Sequence, residues 1–120
     1  MAVTYPTAVK NARLDAVTTA AGATAVLEIG TTGMVSILAT FALTNPIAPA
    51  AASGILTIDF SPAISDASAD NSGTAAAARI RTASGGTDII TGLTVGTSGT
   101  DIILDSVSIT AGQTVTITSG

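Results

Sequence analysis

The stretch DASADNSGTAAAARIRT, residues 66–82, changes character halfway along its length. In its first half, Asp66, Ser68 and Asp70 stand at alternate positions, as oxygen ligands do in a calcium-binding loop. Its second half alternates arginine with small or apolar residues, which is the two-residue period of a β-strand. The interpretation of these two halves therefore decides which fold, and which metal chemistry, the sequence predicts.

The first half does not meet the requirements of an EF-hand calcium loop. Such a loop also needs a glycine at its sixth position and a bidentate glutamate at its twelfth. Counted from Asp66, those positions hold Asn71 and Ala77, and alanine has no ligating atom. Asp, Asn, Ser and Gly favour turns, because their side chains bond to nearby backbone. We therefore expect a polar turn with no metal and no cofactor; a weak calcium ion in another geometry is the alternative.

The two-residue period continues through most of the chain beyond residue 24. Segments with this period cover residues 25–29, 35–43, 55–60, 77–82, 88–95, 101–109 and 114–119. Two prolines mark residues 45–54 as a loop. Turn signals at regular spacing, without helices between the strands, predict an all-β fold of about seven strands. The expected architecture is an antiparallel β-sandwich of the jelly-roll or Greek-key type.

Residues 7–21, TAVKNARLDAVTTAA, carry the helical pattern of this sequence. The apolar residues at helical spacing are Val9, Ala12, Ala16 and Ala20, with Leu14, Val17 and Ala21 beside them. Thr7 is the predicted N-cap and Gly22 the predicted stop. We accordingly expect an N-terminal arm with a short helix over 1–22 and a β-sandwich domain over 23–120.

Composition argues against several classes of function. Charged residues make up 10% and aromatic residues 2% of the chain, and the net charge is −4. Nucleic-acid binding needs clustered Lys and Arg, and this chain has four in all. The absence of histidine and cysteine removes the usual bases and nucleophiles. We therefore expect no enzyme, no catalytic residues and no nucleic-acid partner, and, without an apolar run of about 18 residues, no membrane span.

The four cations are the candidate partner-binding residues: Lys10, Arg13, Arg79 and Arg81. The first two share one side of the predicted helix, and the other two project from one strand face. Two parallel arginines could bind acidic groups of a neighbouring subunit. Equally, they could pair with carboxylates of the same chain, such as Asp59, Asp101 or Asp105.

The predicted core is thin, because much of the 47% hydrophobic fraction consists of small side chains. Low charge also leaves fewer groups that keep a protein surface soluble. Both properties favour a chain that buries surface against copies of itself or within a larger assembly. We expect a homo-oligomer.

Three segments resemble, in this order, a group of small virion structural proteins of tailed bacteriophages. They are TAVKNARLDAV, then ILATFALTNPIAPAAASG, then DASADNSGTAAAARIRT followed by GTDIILDSVSITAGQTVTI. The resemblance covers nearly the whole chain and implies a virion component. A capsid decoration or cement protein, a dimer or trimer of β-sandwich subunits bound to the major capsid protein, is the leading expectation. The alternative is a tail or fibre component with a role in assembly or host binding.

Overall fold

The computed structural model describes residues 4–43, 45, 47–58, 65–83 and 85–119. One helix, α1 (Thr7–Ala21), precedes the strands. The strands are β1 (Val26–Gly30), β2 (Ile37–Ala42), β3 (Ser65–Asp66), β4 (Gly73–Thr74), β5 (Ala77–Arg81), β6 (Asp88–Gly96), β7 (Ile102–Leu104), β8 (Ser108–Ile109) and β9 (Val115–Ser119). A short 3-10 turn, Thr32–Met34, lies between β1 and β2.

Seven strands form one sheet in the order β2-β1-β5-β6-β7-β9-β3, and β4 pairs with β8 in a separate ribbon. The mostly-β fold with a short N-terminal helix is confirmed. The predicted sandwich is not confirmed, because the large sheet is barrel-like and nearly closed. Alternation of apolar residues shows which side chains face a core, but it does not distinguish two stacked sheets from one curved sheet.

The buried side chains follow the predicted alternation in the centre of this sheet. Leu27 and Ile29 of β1 are fully buried, and they stand opposite Ile80 and Ala78 of β5, which are also buried. In β2, Phe41 is buried opposite Leu27. The core face predicted for residues 77–82 is therefore confirmed for its two apolar positions.

The strand predicted over residues 35–43 begins later than expected. Val35 is 86% exposed, because it lies in the turn after Thr32–Met34, and β2 starts at Ile37. The turn includes Met34 at φ 56°, a left-handed conformation that residues other than glycine rarely adopt. The alternating pattern alone gave no sign of this turn.

Side chains and backbone of residues 66–71 close the gap between β2 and β3. The Asp66 carboxylate accepts hydrogen bonds from the backbone N–H of Thr40 at 3.0 Å and of Ser68 at 3.1 Å. The Asp70 N–H donates to the Leu38 carbonyl at 2.8 Å. These bonds replace the strand-to-strand ladder that would complete a barrel.

A polar turn does connect β3 to β4, and the Ser68 N–H bond to Asp66 is local, as predicted. Its other side chains bond to backbone that is distant in sequence. Asn71 Nδ2 donates to the Ile37 carbonyl at 2.9 Å. Ser72 Oγ accepts from the Ala111 N–H at 2.9 Å. Asp66 and Asn71 thus fasten β2 to the turn, and Ser72 fastens the turn to the segment before β9.

Strands β6 and β7 pair in parallel, which departs from the predicted antiparallel arrangement. Their pairing involves Val95 with Ile102 and Gly96 with Ile103. Parallel neighbours normally need a connection of a dozen or more residues, whereas residues 97–101 alone join these strands. A connection this short allows a parallel overlap of two residues on each strand.

The carboxylate of Asp101 holds this tight connection in place. Its Oδ2 atom accepts the backbone N–H of Thr94 at 2.9 Å and the Thr94 hydroxyl at 3.0 Å. In return, the Asp101 N–H donates to Thr94 Oγ1 at 3.0 Å. The hydrogen bonds from Thr94, first from its backbone and then from its side chain, lower the pKa of Asp101 below its ordinary value of 3.8.

Helix α1 has the predicted bounds but a different packed face. Pro6 rather than Thr7 occupies the N-cap position, and Gly22 at φ 72° ends the helix. The residues of the predicted apolar stripe, Val9, Ala12, Ala16 and Ala20, are exposed. Polar residues instead attach the helix: Asn11 Oδ1 accepts the Gly54 N–H at 2.9 Å, and Asp15 Oδ1 accepts the Ala51 N–H at 2.7 Å.

Two other predicted strands differ from the structure. Residues 55–58 form no strand, and Ile55 makes an isolated bridge to Ala52 across a turn. The rest of that prediction, Asp59 and Phe60, lies outside the described residues. The predicted strand 101–109 is divided into β7 and β8, which belong to different sheets.

We predict that Asp66→Ala lowers the free energy of unfolding by about 1–2 kcal/mol, because two backbone N–H groups lose their acceptor. Asp70→Ala is the matched control, since Asp70 bonds Leu38 through its backbone; it should change stability by less than about 0.5 kcal/mol. Urea unfolding measures both variants, and amide exchange at Thr40 should accelerate in the first alone. Equal losses in the two variants would contradict the role given to the Asp66 carboxylate.

We also predict a pH-dependent contribution from Asp101. Because its pKa is lower in the folded chain than in the unfolded chain, its stabilising contribution is complete above the ordinary pKa of 3.8 and is lost as the pH falls through the folded-state value. The stability gap between wild type and Asp101→Asn should therefore narrow as the pH falls from about 5 to about 2. Urea unfolding across that range measures the gap, and a gap independent of pH would refute the prediction.

Candidate functional site

The two arginines of β5 contact a buried carboxylate on the neighbouring strand. Glu28 of β1 stands opposite Arg79 in the strand register and is 4% exposed. Arg79 Nε donates to Glu28 Oε1 at 2.8 Å, and Arg81 Nη1 lies 3.6 Å from the same oxygen. Since Leu27 and Ile29 face the core, alternation places Glu28 on the opposite face of the sheet.

A second carboxylate completes this charge cluster, which consists of Glu28, Arg79, Arg81 and Asp88. Asp88 of β6 pairs with Arg81 in register, and its Oδ1 lies 2.9 Å from Arg81 Nε. This contact is an ion pair without hydrogen-bond geometry, and Arg81 Nε has no hydrogen-bond acceptor among the described residues. Arg81 Nη2 donates to the Gly86 carbonyl. Two carboxylates thus balance two guanidinium groups across three adjacent strands.

In the structure, Arg79 and Arg81 therefore pair with carboxylates of the same chain. Among the described residues their partners are Glu28 and Asp88, and neither Asp101 nor Asp105 pairs with them. Asp101 bonds Thr94 instead, and Asp59 lies outside the described residues. Sequence reasoning missed Glu28, the one carboxylate inside the apolar segment 25–29. A single acid in an apolar strand, together with an Arg-X-Arg strand elsewhere, was the available signal.

Lys10 and Arg13 remain on the surface. With Leu14, Val17 and Gly54 they line a cleft of about 430 Å³, called here the helix cleft. The Arg13 guanidinium lies 4.8 Å from the centre of the Tyr5 ring, within the range of a cation–π contact. Of the two predicted pairs of cations, the structure places this one at an open surface.

Apolar side chains are exposed around the same cleft. Tyr5 and Val9 are both more than two-fifths exposed, and Ile55, next to Gly54, is 64% exposed. Val9 and Arg13 are four residues apart on α1 and therefore share a face. The helix cleft thus combines positive charge with an apolar border.

A second cleft of similar volume borders the charge cluster. Its lining includes Met34, Ala77, Leu93, Arg79 and Asp88. Arg79 and Asp88 carry opposite charges, so this cleft lacks the charge bias of the helix cleft. We therefore regard the helix cleft as the candidate functional site.

Metal-binding side chains are not grouped in the part of the chain that the structure describes: no three of its Asp and Glu residues come together. Nor does any helix in that part have the length and apolar character to cross a membrane. Comparison with protein-family models, with curated proteins and with solved structures gives no match to this chain.

We predict that Glu28→Gln destabilises the fold by about 3 kcal/mol, because it leaves a half-buried guanidinium pair without its shared carboxylate. Asp88→Asn is the control: Asp88 is 43% exposed, so its loss should cost less than about 1 kcal/mol. Urea unfolding of both variants measures the difference. If Glu28→Gln lowers the free energy of unfolding as little as Asp88→Asn does, the cluster contributes no more to stability than an exposed ion pair, and the prediction is wrong.

Proposed function

We propose that this chain is a structural protein of a tailed-bacteriophage virion, specifically a capsid decoration or cement protein that binds the major capsid shell. The observation that carries the proposal is the separation of its cations. Arg79 and Arg81 are neutralised within the sheet, whereas Lys10 and Arg13 lie at an open cleft. The sheet is then the scaffold and α1 the attachment element.

A structural role is supported by how the carboxylates are used. Asp15 and Asp66 accept backbone N–H groups, and Asp101 fixes a tight connection. Glu28 and Asp88 balance the two arginines. Carboxylates engaged in this way act as internal fasteners rather than as acids or bases, and we propose that the chain is not an enzyme.

Attachment to a shell also fits the thin core suggested by composition. In the proposed arrangement, copies of the chain associate as dimers or trimers on the capsid surface, and the N-terminal segment 1–22 contacts neighbouring capsid subunits. Exposed apolar residues beside the helix cleft, such as Val9 and Ile55, would be covered in that contact. The protein would then gain stability from the particle that it reinforces.

A tail or fibre component, with a role in assembly or host binding, is the second candidate. The exposed tip of the β1–β2 connection favours it, since Val35 projects an apolar side chain from a tight turn. Loop tips on rigid β-scaffolds are common sites of recognition. The polar turn 66–72, in contrast, uses Asp66, Asn71 and Ser72 to fasten the sheet.

We predict that the protein is present in purified virions at a simple stoichiometric ratio to the major capsid protein. Quantitative mass spectrometry of the particles, with isotope-labelled peptides of both proteins, measures this ratio. A ratio matching the small number of copies in a tail or fibre would contradict the decoration role and favour the second candidate. Absence from washed virions would contradict both.

A further inference from the structure

The helix cleft holds cations that are not neutralised in the described structure. Lys10 and Arg13 form no ion pair with any described residue, whereas Arg79 and Arg81 both do. Arg13 contacts the face of Tyr5, a ring without a formal negative charge. Although the net charge of the chain is −4, two cations without a carboxylate partner among the described residues lie together at this cleft.

The stability of α1 does not explain these cations. The N-terminus of a helix carries a partial positive charge, so cations are favourable near the other end. Lys10 lies near the N-terminus, and the last turn of α1 contains no basic residue. Their placement therefore calls for an explanation outside the helix.

The floor of the cleft is apolar and accessible. Leu14 and Val17 form it and are half-buried. Gly54 lies at its border, where a Cβ atom would meet Lys10 Cδ at 3.4 Å. Gly54 has no side chain to narrow this border, and the stem of the exposed Lys10 lies beside it.

We infer that the helix cleft binds an acidic peptide segment that also carries an apolar side chain. Carboxylates of the segment contact Lys10 and Arg13, and its apolar side chain packs on Leu14 and Val17. A volume of about 430 Å³ is in the range of binding pockets and accommodates a side chain of this kind. This inference deepens the proposed function and rests on it in one respect: the segment would belong to the capsid protein.

Charge number favours a peptide over the other polyanions. Recruitment to an anionic membrane typically uses four to eight Lys and Arg residues in one cluster. Binding to nucleic acid depends on neutralising several phosphates at once. Two cations beside an apolar floor instead match a short segment with two or three carboxylates, which can use both contacts together.

The test uses the full chain labelled with ¹⁵N and a synthetic peptide with the sequence Gly-Asp-Leu-Glu-Asp-Leu-Gly, blocked at both ends. We expect amide shifts at residues 10–17 and 54 as the peptide is added, and weaker binding as salt is raised. A peptide with Asn and Gln in place of the acids tests the charge requirement. Another with Ser in place of Leu tests the apolar contact. Both should bind less tightly.

The double variant Lys10→Gln/Arg13→Gln should bind the acidic peptide roughly tenfold more weakly. Thr97→Asp/Ser98→Asp is the matched control, because it gives the same net charge at an exposed turn that does not line the cleft. Binding that is equal in the two variants, or shifts that fall elsewhere, would overturn the inference. The inference would also be overturned if the chain bound vesicles of anionic phospholipid but not the peptide, and the double variant weakened that vesicle binding.

Occupancy on capsids separates this inference from the proposed function. Reduced capsid binding by the Lys10/Arg13 double variant, with the control unaffected, supports both. If the wild type binds capsids and the double variant binds them equally well, the assignment of the cleft is wrong and the decoration role is unaffected. If the chain binds the peptide at the cleft but is absent from virions, the decoration role alone is overturned.

Discussion

The buried carboxylate of Glu28 constrains the register of three adjacent strands, β1, β5 and β6. It lies between two core residues of β1, so a shift of one residue in register would place the charge in the core and Leu27 or Ile29 on the polar face. Both errors are costly, because a buried charge without its partners is strongly destabilising. Arg79 and Arg81 can neutralise it only when β1, β5 and β6 are aligned as observed.

Polar side chains supplement the backbone ladders at two places in the sheet, the gap between its end strands β2 and β3 and the short β6–β7 pair. Asp66 and Asn71 bridge β2 to the turn beyond β3, and Asp101 holds the short parallel pair of β6 and β7. This use of polar groups explains how a chain with so few charged residues builds an almost closed sheet. It also explains why much of its negative charge is engaged in structure, whereas Lys10 and Arg13 are left for other contacts.

Local patterns predicted part of the local structure and little of its arrangement. The bounds of α1, the alternation of β5 and the polar turn at Asp66 follow from residue spacing and turn chemistry. The single curved sheet could not be predicted, because the order of its strands is set by pairings between distant segments, such as β1 with β5. Glu28 was missed for the same reason, since its importance depends on arginines elsewhere in the chain. The exposure of Lys10 and Arg13 needs no tertiary information, and their role in binding a partner stays a prediction.

The attachment of α1 has a consequence for the order of folding. Glu28 and Arg79 are 51 residues apart, so the central pairing closes a long loop, and folds built on distant contacts form on the scale of roughly milliseconds to seconds. An isolated helix of this length is marginal in water, and α1 is fastened to Ala51 and Gly54 by two polar side chains. It therefore docks once that segment is in place. The helix cleft is then completed late, after the sheet beneath it has formed.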